Sequence, residues 1–265
     1  MTIGAVSFNP VTVPRNSSAG WVSVRNDGLS LRCWWAPGAD GAGDIDSKSC
    51  TNRAFIVLPE VFGLNAWVRS VADRLAAQGI PALAMPLFAR SAPALDLDYS
   101  DPALVEGRRH KDLTTAAQIL SDCSAAMHWL QGRCPGAVEI KGSAHLRQRG
   151  RQQRSMAPEA EADDINGGAG VSTMRPGGGP PSLELLPEVS GRLTCLCGTA
   201  DPLIPLEHRR SIQAGLLAAD PSAERLRYVE FADADHGFMC EARSTFNPQA
   251  SAQGWRLLLA GDPVA

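Results

Sequence analysis

Phe55-Ile-Val-Leu-Pro-Glu60-Val-Phe-Gly-Leu-Asn65 joins a strand, a tight turn and a helix start in one short run. Phe55 to Pro59 is a brief, continuous apolar stretch, the pattern of a buried strand. Asn65 is placed to cap a helix over Ala66 to Gln78, where Val68, Val71, Ala72, Leu75 and Ala76 recur at helical spacing. Gly79 supplies the stop, and Pro81 to Leu87 is apolar again. Upstream, Leu29 to Trp35 forms another strand, and Pro37 to Asn52 is a Gly-, Asp- and Ser-rich connection. Downstream, a long helix is expected from about Lys111 to Leu130, with Leu113, Ala116, Ala117, Leu120, Cys123 and Met127 on one face. Strands alternating with helices imply right-handed βαβ units, hence an α/β fold with a mostly parallel sheet flanked by helices.

Ala137 to Ile140 begins the next strand, and then the pattern fails. Arg147, Arg149, Arg151 and Arg154 crowd one short run, Glu159 to Asp164 is acidic, and Asn166 to Pro181 is mostly Gly, Ser, Thr and Pro. Such composition buries too little apolar area to offset ordering entropy, so residues 141–190 are expected to be an aberrant, low-order segment within a single domain spanning 1–265. The rhythm returns with a strand at Leu193 to Cys197, a helix at Leu206 to Ala218, a strand at Leu226 to Phe231 and a last helix from Ala250 to Leu259.

The 265 residues suffice for a full core without covalent staples. A net charge of −3 gives no reason to expect nucleic acid or an anionic membrane as partner. No apolar run approaches the roughly 20 residues that span a bilayer, and the start lacks a basic, then apolar, leader pattern. A cytoplasmic protein is the resulting expectation. The seven cysteines are odd in number, which argues against a disulfide framework. Cys195 and Cys197 are expected to point to opposite faces of their strand and to share no metal. No metal or other cofactor is expected.

Functional groups of open parallel sheets gather at the carboxyl ends of strands. Glu60 follows the strand through Pro59. Asp201 follows another in Gly198-Thr-Ala-Asp-Pro, and His236 a third in Asp233-Ala-Asp-His-Gly-Phe. A Gly-x-x-Asp after a strand can merely cap a turn, and a lone His is commonly a loop residue. Together, with one helix and one strand between them, Asp201 and His236 should converge over one crevice as an acid orienting an imidazole.

Four runs then carry a resemblance: Leu58-Pro-Glu-Val-Phe-Gly-Leu-Asn, Pro86-Leu-Phe-Ala-Arg, Gly198-Thr-Ala-Asp-Pro-Leu-Ile-Pro and His236-Gly-Phe-Met-Cys. In this order they resemble the motifs of the dienelactone hydrolase family of α/β-hydrolases, over about Leu29 to Ile140 and Arg192 to Trp255. The resemblance implies that Asp201 and His236 belong to a Cys-His-Asp triad and that Glu60 helps control the thiol. It implies that Arg90 pairs with a substrate carboxylate and that the Val61 N–H supplies half the oxyanion hole. It further implies a small-molecule lactone or ester as substrate. Where some relatives carry a second arginine after the histidine, Cys240 stands, with Arg243 a loose substitute.

The family's Gly-x-Cys-x-Gly-Gly elbow has no counterpart after Ile140. Cys134 precedes a strand instead of following it, Cys123 belongs to a helix face, and Cys195 and Cys197 lie on the acid strand. Ser143, after a strand and a Gly, is the nearest in-frame substitute, but it lacks the downstream glycines. Lys141-Gly-Ser-Ala occupies the elbow's place, and with suitable codons a shifted frame there would read Gly-Phe-Cys. A frame disrupted between two compensating changes, or a misassigned intron, accounts for both the loss of pattern and its recovery. The expectation is a family hydrolase impaired by loss of its nucleophile. A non-catalytic protein that binds small carboxylates or a protein partner is the alternative.

Overall fold

The computed structural model describes residues 19–38, 53–134, 186 and 192–259, and the backbone of 139–143 and 167–168. The expected low-order segment 141–190, apart from 141–143, 167–168 and 186, and most of the 37–52 connection therefore lie outside the described residues.

Eight strands and five helices are described. β1 (Gly20–Asn26) and β2 (Leu29–Ala36) form an antiparallel hairpin, turning at Asp27 and Gly28, both with positive φ. β3 (Arg53–Val57) leads through Glu60 into α1 (Ala66–Ala77), followed by β4 (Ala82–Ala84). β3 pairs in parallel with β4 and with β5 (Glu139–Ser143), while β2 runs antiparallel to β4. The order is thus β1-β2-β4-β3-β5. A second group, β6 (Gly167–Gly168), β7 (Leu193–Gly198) and β8 (Leu226–Phe231), is parallel throughout, and β6 lies beside β5.

Alternation along β3 assigns its side chains to two cores. Ala54 and Ile56 face a cluster with Leu31, Cys33, Leu83 and Leu130 of α3 (Ala116–Arg133). Phe55 and Val57 face Val68, Val71 and Leu75 of α1 and Trp255 of α5 (Pro248–Leu259). The sheet is therefore covered on both faces, as near-continuous apolar strands require. A third cluster joins β7 and β8 to α4 (Leu206–Ala219).

Asn65 does cap α1: its side chain accepts from the Val68 amide at 3.1 Å. The single helix expected over Lys111 to Leu130 is instead two, α2 (Asp101–Asp112) and α3. Thr115 starts the second with a reciprocal cap, its hydroxyl taking the Gln118 amide and its own amide donating to the Gln118 side chain. As a result Leu113 and Leu120 are exposed, and Asp122 is wholly buried. The opposite faces expected for Cys195 and Cys197 are not found either. Residues two apart along a strand share a face, and their sulfurs lie 3.7 Å apart.

Candidate active site

The loop after β7 and the loop after β8 are tied to one another. The Thr199 amide donates to Phe231, the Ala200 amide to Ala234, and the Asp233 amide to the Thr199 hydroxyl. Gly198 permits this approach, because a Cβ there would run into the Ala234 carbonyl. Asp233 takes a positive φ of 56° to make the turn, a cost an aspartate bears better than most residues.

This lacing brings Asp201 and His236 together. Asp201 Oδ2 and His236 Nδ1 are 3.0 Å apart, with the carboxylate buried and the imidazole about a quarter exposed. The other carboxylate oxygen accepts from the Leu203 amide at 2.8 Å. Burial alone would raise the Asp201 carboxyl, but the hydrogen bond and charge of His236, with the Leu203 and Ile204 amides, hold it below the usual carboxylate range. Nδ1 is thus committed to the acid. The Thr245 hydroxyl, donating to the His236 carbonyl at 2.7 Å, fixes the backbone behind the ring.

Glu60, at the tip of β3, is also buried. One oxygen meets Arg243 Nη2 at 2.9 Å, and the other has no hydrogen-bond partner among the described residues. The Arg243 guanidinium lies 4.9 Å from the Tyr99 ring centre and 5.4 Å from that of Phe62, over an aromatic floor. It also lies against Gly237, whose φ of 75° and missing side chain leave the guanidinium its place. His236, Gly237, Arg243 and Glu60 therefore form a continuous chain of neighbours. Tyr99 is pushed above the usual tyrosine range, first by burial and then by the Glu60 charge. The Cys240 thiol is raised by burial, with Tyr99 and the Ala242 amide opposing. The Val61 amide donates to no described group, and its carbonyl packs against Gly107 of α2.

Arg90 is paired within the protein. Its two terminal nitrogens grip both oxygens of buried Asp122 on α3, at 2.5 and 3.1 Å, and Asn26 of β1 donates to the same carboxylate at 2.6 Å. The carboxylate Arg90 holds is the protein's own. Arg243 is the cation at the site, and Tyr99, Phe62 and Cys240 join it there. Sequence reasoning undervalued all four, although an arginine seven positions beyond the histidine was a visible signal.

The strand order and the acid–histidine placement define an α/β-hydrolase-like class of protein. The model of the dienelactone hydrolase family matches residues 44–142 and 170–260, and the chain belongs to that family. A Synechocystis protein provisionally named carboxymethylenebutenolidase is 29% identical over 214 residues, covering 76% of this chain and 81% of that one. An Escherichia coli K12 protein of the same provisional name is 23% identical, covering 91% and 85%. Among solved structures, a provisionally named dienelactone hydrolase from Klebsiella pneumoniae superposes with a TM-score of 0.66 at 20% identity, over 91% and 96% of the two chains. A dienelactone hydrolase-like promiscuous phosphotriesterase from metagenomic libraries gives 0.60 at 16% identity, over 91% and 95%. The family match breaks after residue 142 and resumes at 170, within the stretch where the sequence pattern is lost.

Proposed function

We propose that this chain carries the acid–base half of a carboxylic ester or lactone hydrolase of the Cys-His-Asp type and lacks its nucleophile. The observation that carries the reading is the Asp201–His236 pair at 3.0 Å, with Glu60 on the neighbouring loop. In an intact site a thiol attacks the carbonyl, His236 Nε2 moves the proton, and Asp201 keeps the imidazole in the orientation and tautomer the step needs. Glu60, with one oxygen on Arg243 and the other without a described partner, would bias the charge of such a thiol. The Val61 amide is the donor available for the developing oxyanion.

The parallel register sets Ser143 of β5 opposite Val57 of β3, so the elbow would begin at the Gly142-Ser143-Ala144 run. No cysteine stands in that run, and triad members act as a unit. Ester turnover should therefore fall about 10⁴- to 10⁶-fold below that of an intact relative. The test is hydrolysis of a small aryl ester by the purified chain and by the Ala144→Cys variant. The variant should gain turnover and covalent labelling by a thiol-directed ester analogue, and adding His236→Ala should abolish the gain. Robust turnover by the unaltered chain that survives His236→Ala would overturn the assignment. The alternative of a carboxylate-binding protein built on Arg90 loses its support, because that guanidinium is already held by Asp122.

A further inference from the structure

On β7, four and six positions before Asp201, two thiols share a pocket. Cys195 and Cys197 are 2% and 3% exposed, packed among Ile204, Ile212, Leu216 and Leu226. Their sulfurs are 3.7 Å apart. A strand advances about 3.2 to 3.4 Å per residue, so α-carbons two apart are separated by about 6.4 to 6.8 Å. That lies at the upper end of the roughly 4.4 to 6.8 Å a disulfide accepts. Closure is thus geometrically open, and the product would be strained.

The pair also lies beside a polar side chain that reaches solvent. Tyr228 stands opposite Cys195 in the β7–β8 ladder and is only half-buried. Its hydroxyl neighbours the Cys197 thiol and donates at 2.7 Å to Glu230, which is solvent-accessible and also held by Arg209. Cys197 itself is 3% exposed. Its thiol is drawn below the usual range chiefly by the hydrogen bond from Cys195, against burial. The remaining resolved shifts run the other way: burial pushes Cys33 and Cys123 up to about 12 and Cys134 up to about 11. Thiolate character and a resolving thiol at hand favour selective oxidation once peroxide reaches the pair.

We propose that Cys195 and Cys197 form a redox-active dithiol, a modification site that hydrogen peroxide closes to an intrastrand disulfide. The Cys197 sulfur attacks one peroxide oxygen, the O–O bond breaks, and the departing oxygen leaves as water with the thiol proton. The Cys195 sulfur then attacks the resulting sulfenic acid, forming the S–S bond and expelling a second water with its own proton. Two thiols are oxidised, and one peroxide is reduced to two waters. Strain in so short a loop makes the bond easy to reduce, so a glutathione-type thiol should reopen it.

The test treats the full chain with hydrogen peroxide, then denatures, alkylates and digests it with trypsin. The peptide Leu193–Arg209 contains both cysteines and no other. It should lose both alkylation sites and become lighter by a pair of hydrogens, recover them with reduced glutathione, and do so while Cys33, Cys123 and Cys134 remain alkylatable. In Cys195→Ser, a sulfenic acid on Cys197 should persist and be trapped by dimedone. In Cys197→Ser, the peptide should stay unmodified. The proposal is overturned if both thiols survive peroxide, if all described cysteines oxidise alike, or if the bond forms and glutathione cannot reopen it. None of these outcomes depends on ester turnover, so the hydrolase reading is tested separately.

Discussion

Arg90 and Arg243 show how much a single residue's partner decides. Asp122 is fully buried and receives Arg90 twice and Asn26 once. Removing it leaves a partly exposed cation and an amide without their shared partner, so Asp122→Ala should lower unfolding stability by about 2 kcal/mol, read by denaturant titration. Arg90→Ala should likewise shift stability, whereas a substrate anchor would have changed KM alone. Asp201 makes a pH prediction. Its carboxyl is depressed in the folded state, so its contribution is complete above the unfolded value of about 3.9 and is lost as pH falls toward the folded value. Thermal melts of the native chain and Asp201→Asn should converge on acidification below about pH 4; a constant gap would show that the carboxylate charge is not what holds the pair. The strand-end positions of Glu60, Asp201 and His236 were legible because motif and α/β rhythm coincide there. The partner of Arg90 was not legible, since its carboxylate comes from a remote turn of an apolar helix face.

At the scale of elements, local chemistry outweighed periodicity in one place. The apolar positions from Leu113 to Met127 suggested an unbroken helix, but Thr115 and Gln118 close a reciprocal cap, and the chain restarts there. Thr115→Ala should cost about 1 kcal/mol and melt the start of α3 first, seen as faster amide exchange over its first turn. The hairpin strand β1 escaped notice altogether. It is an edge strand whose residues alternate between exposed and half-buried, with only Val24 buried, so its apolar signal is thin. The turn between β7 and the acid is a tighter device. Gly198→Ala would force the Ala234 carbonyl away and part the two loops. It should lower stability and also broaden or shift the His236 imidazole resonances, an effect that Gly132→Ala, with open space around its α-carbon, should not produce.

For the whole molecule, the gap in the family match and the loss of α/β pattern fall in the same interval. Order on both sides is consistent with the family, which is what compensating frame changes would leave behind, since each flank keeps its own local and global agreement. Sequencing the encoding DNA across residues 141–190 should show an alternative frame that opens on Gly-x-Cys and continues as a helix. Finding none would sink that account, and the chain would then be a true in-frame variant.

The mutual stitching of the β7 and β8 loops has an evolutionary consequence. The Asp201–His236 pair is braced by hydrogen bonds between its own two loops. On the proposed reading, a lineage that forfeits its attacking sulfur can keep this pair intact in reserve, and a repair confined to the gene's middle would meet machinery already assembled.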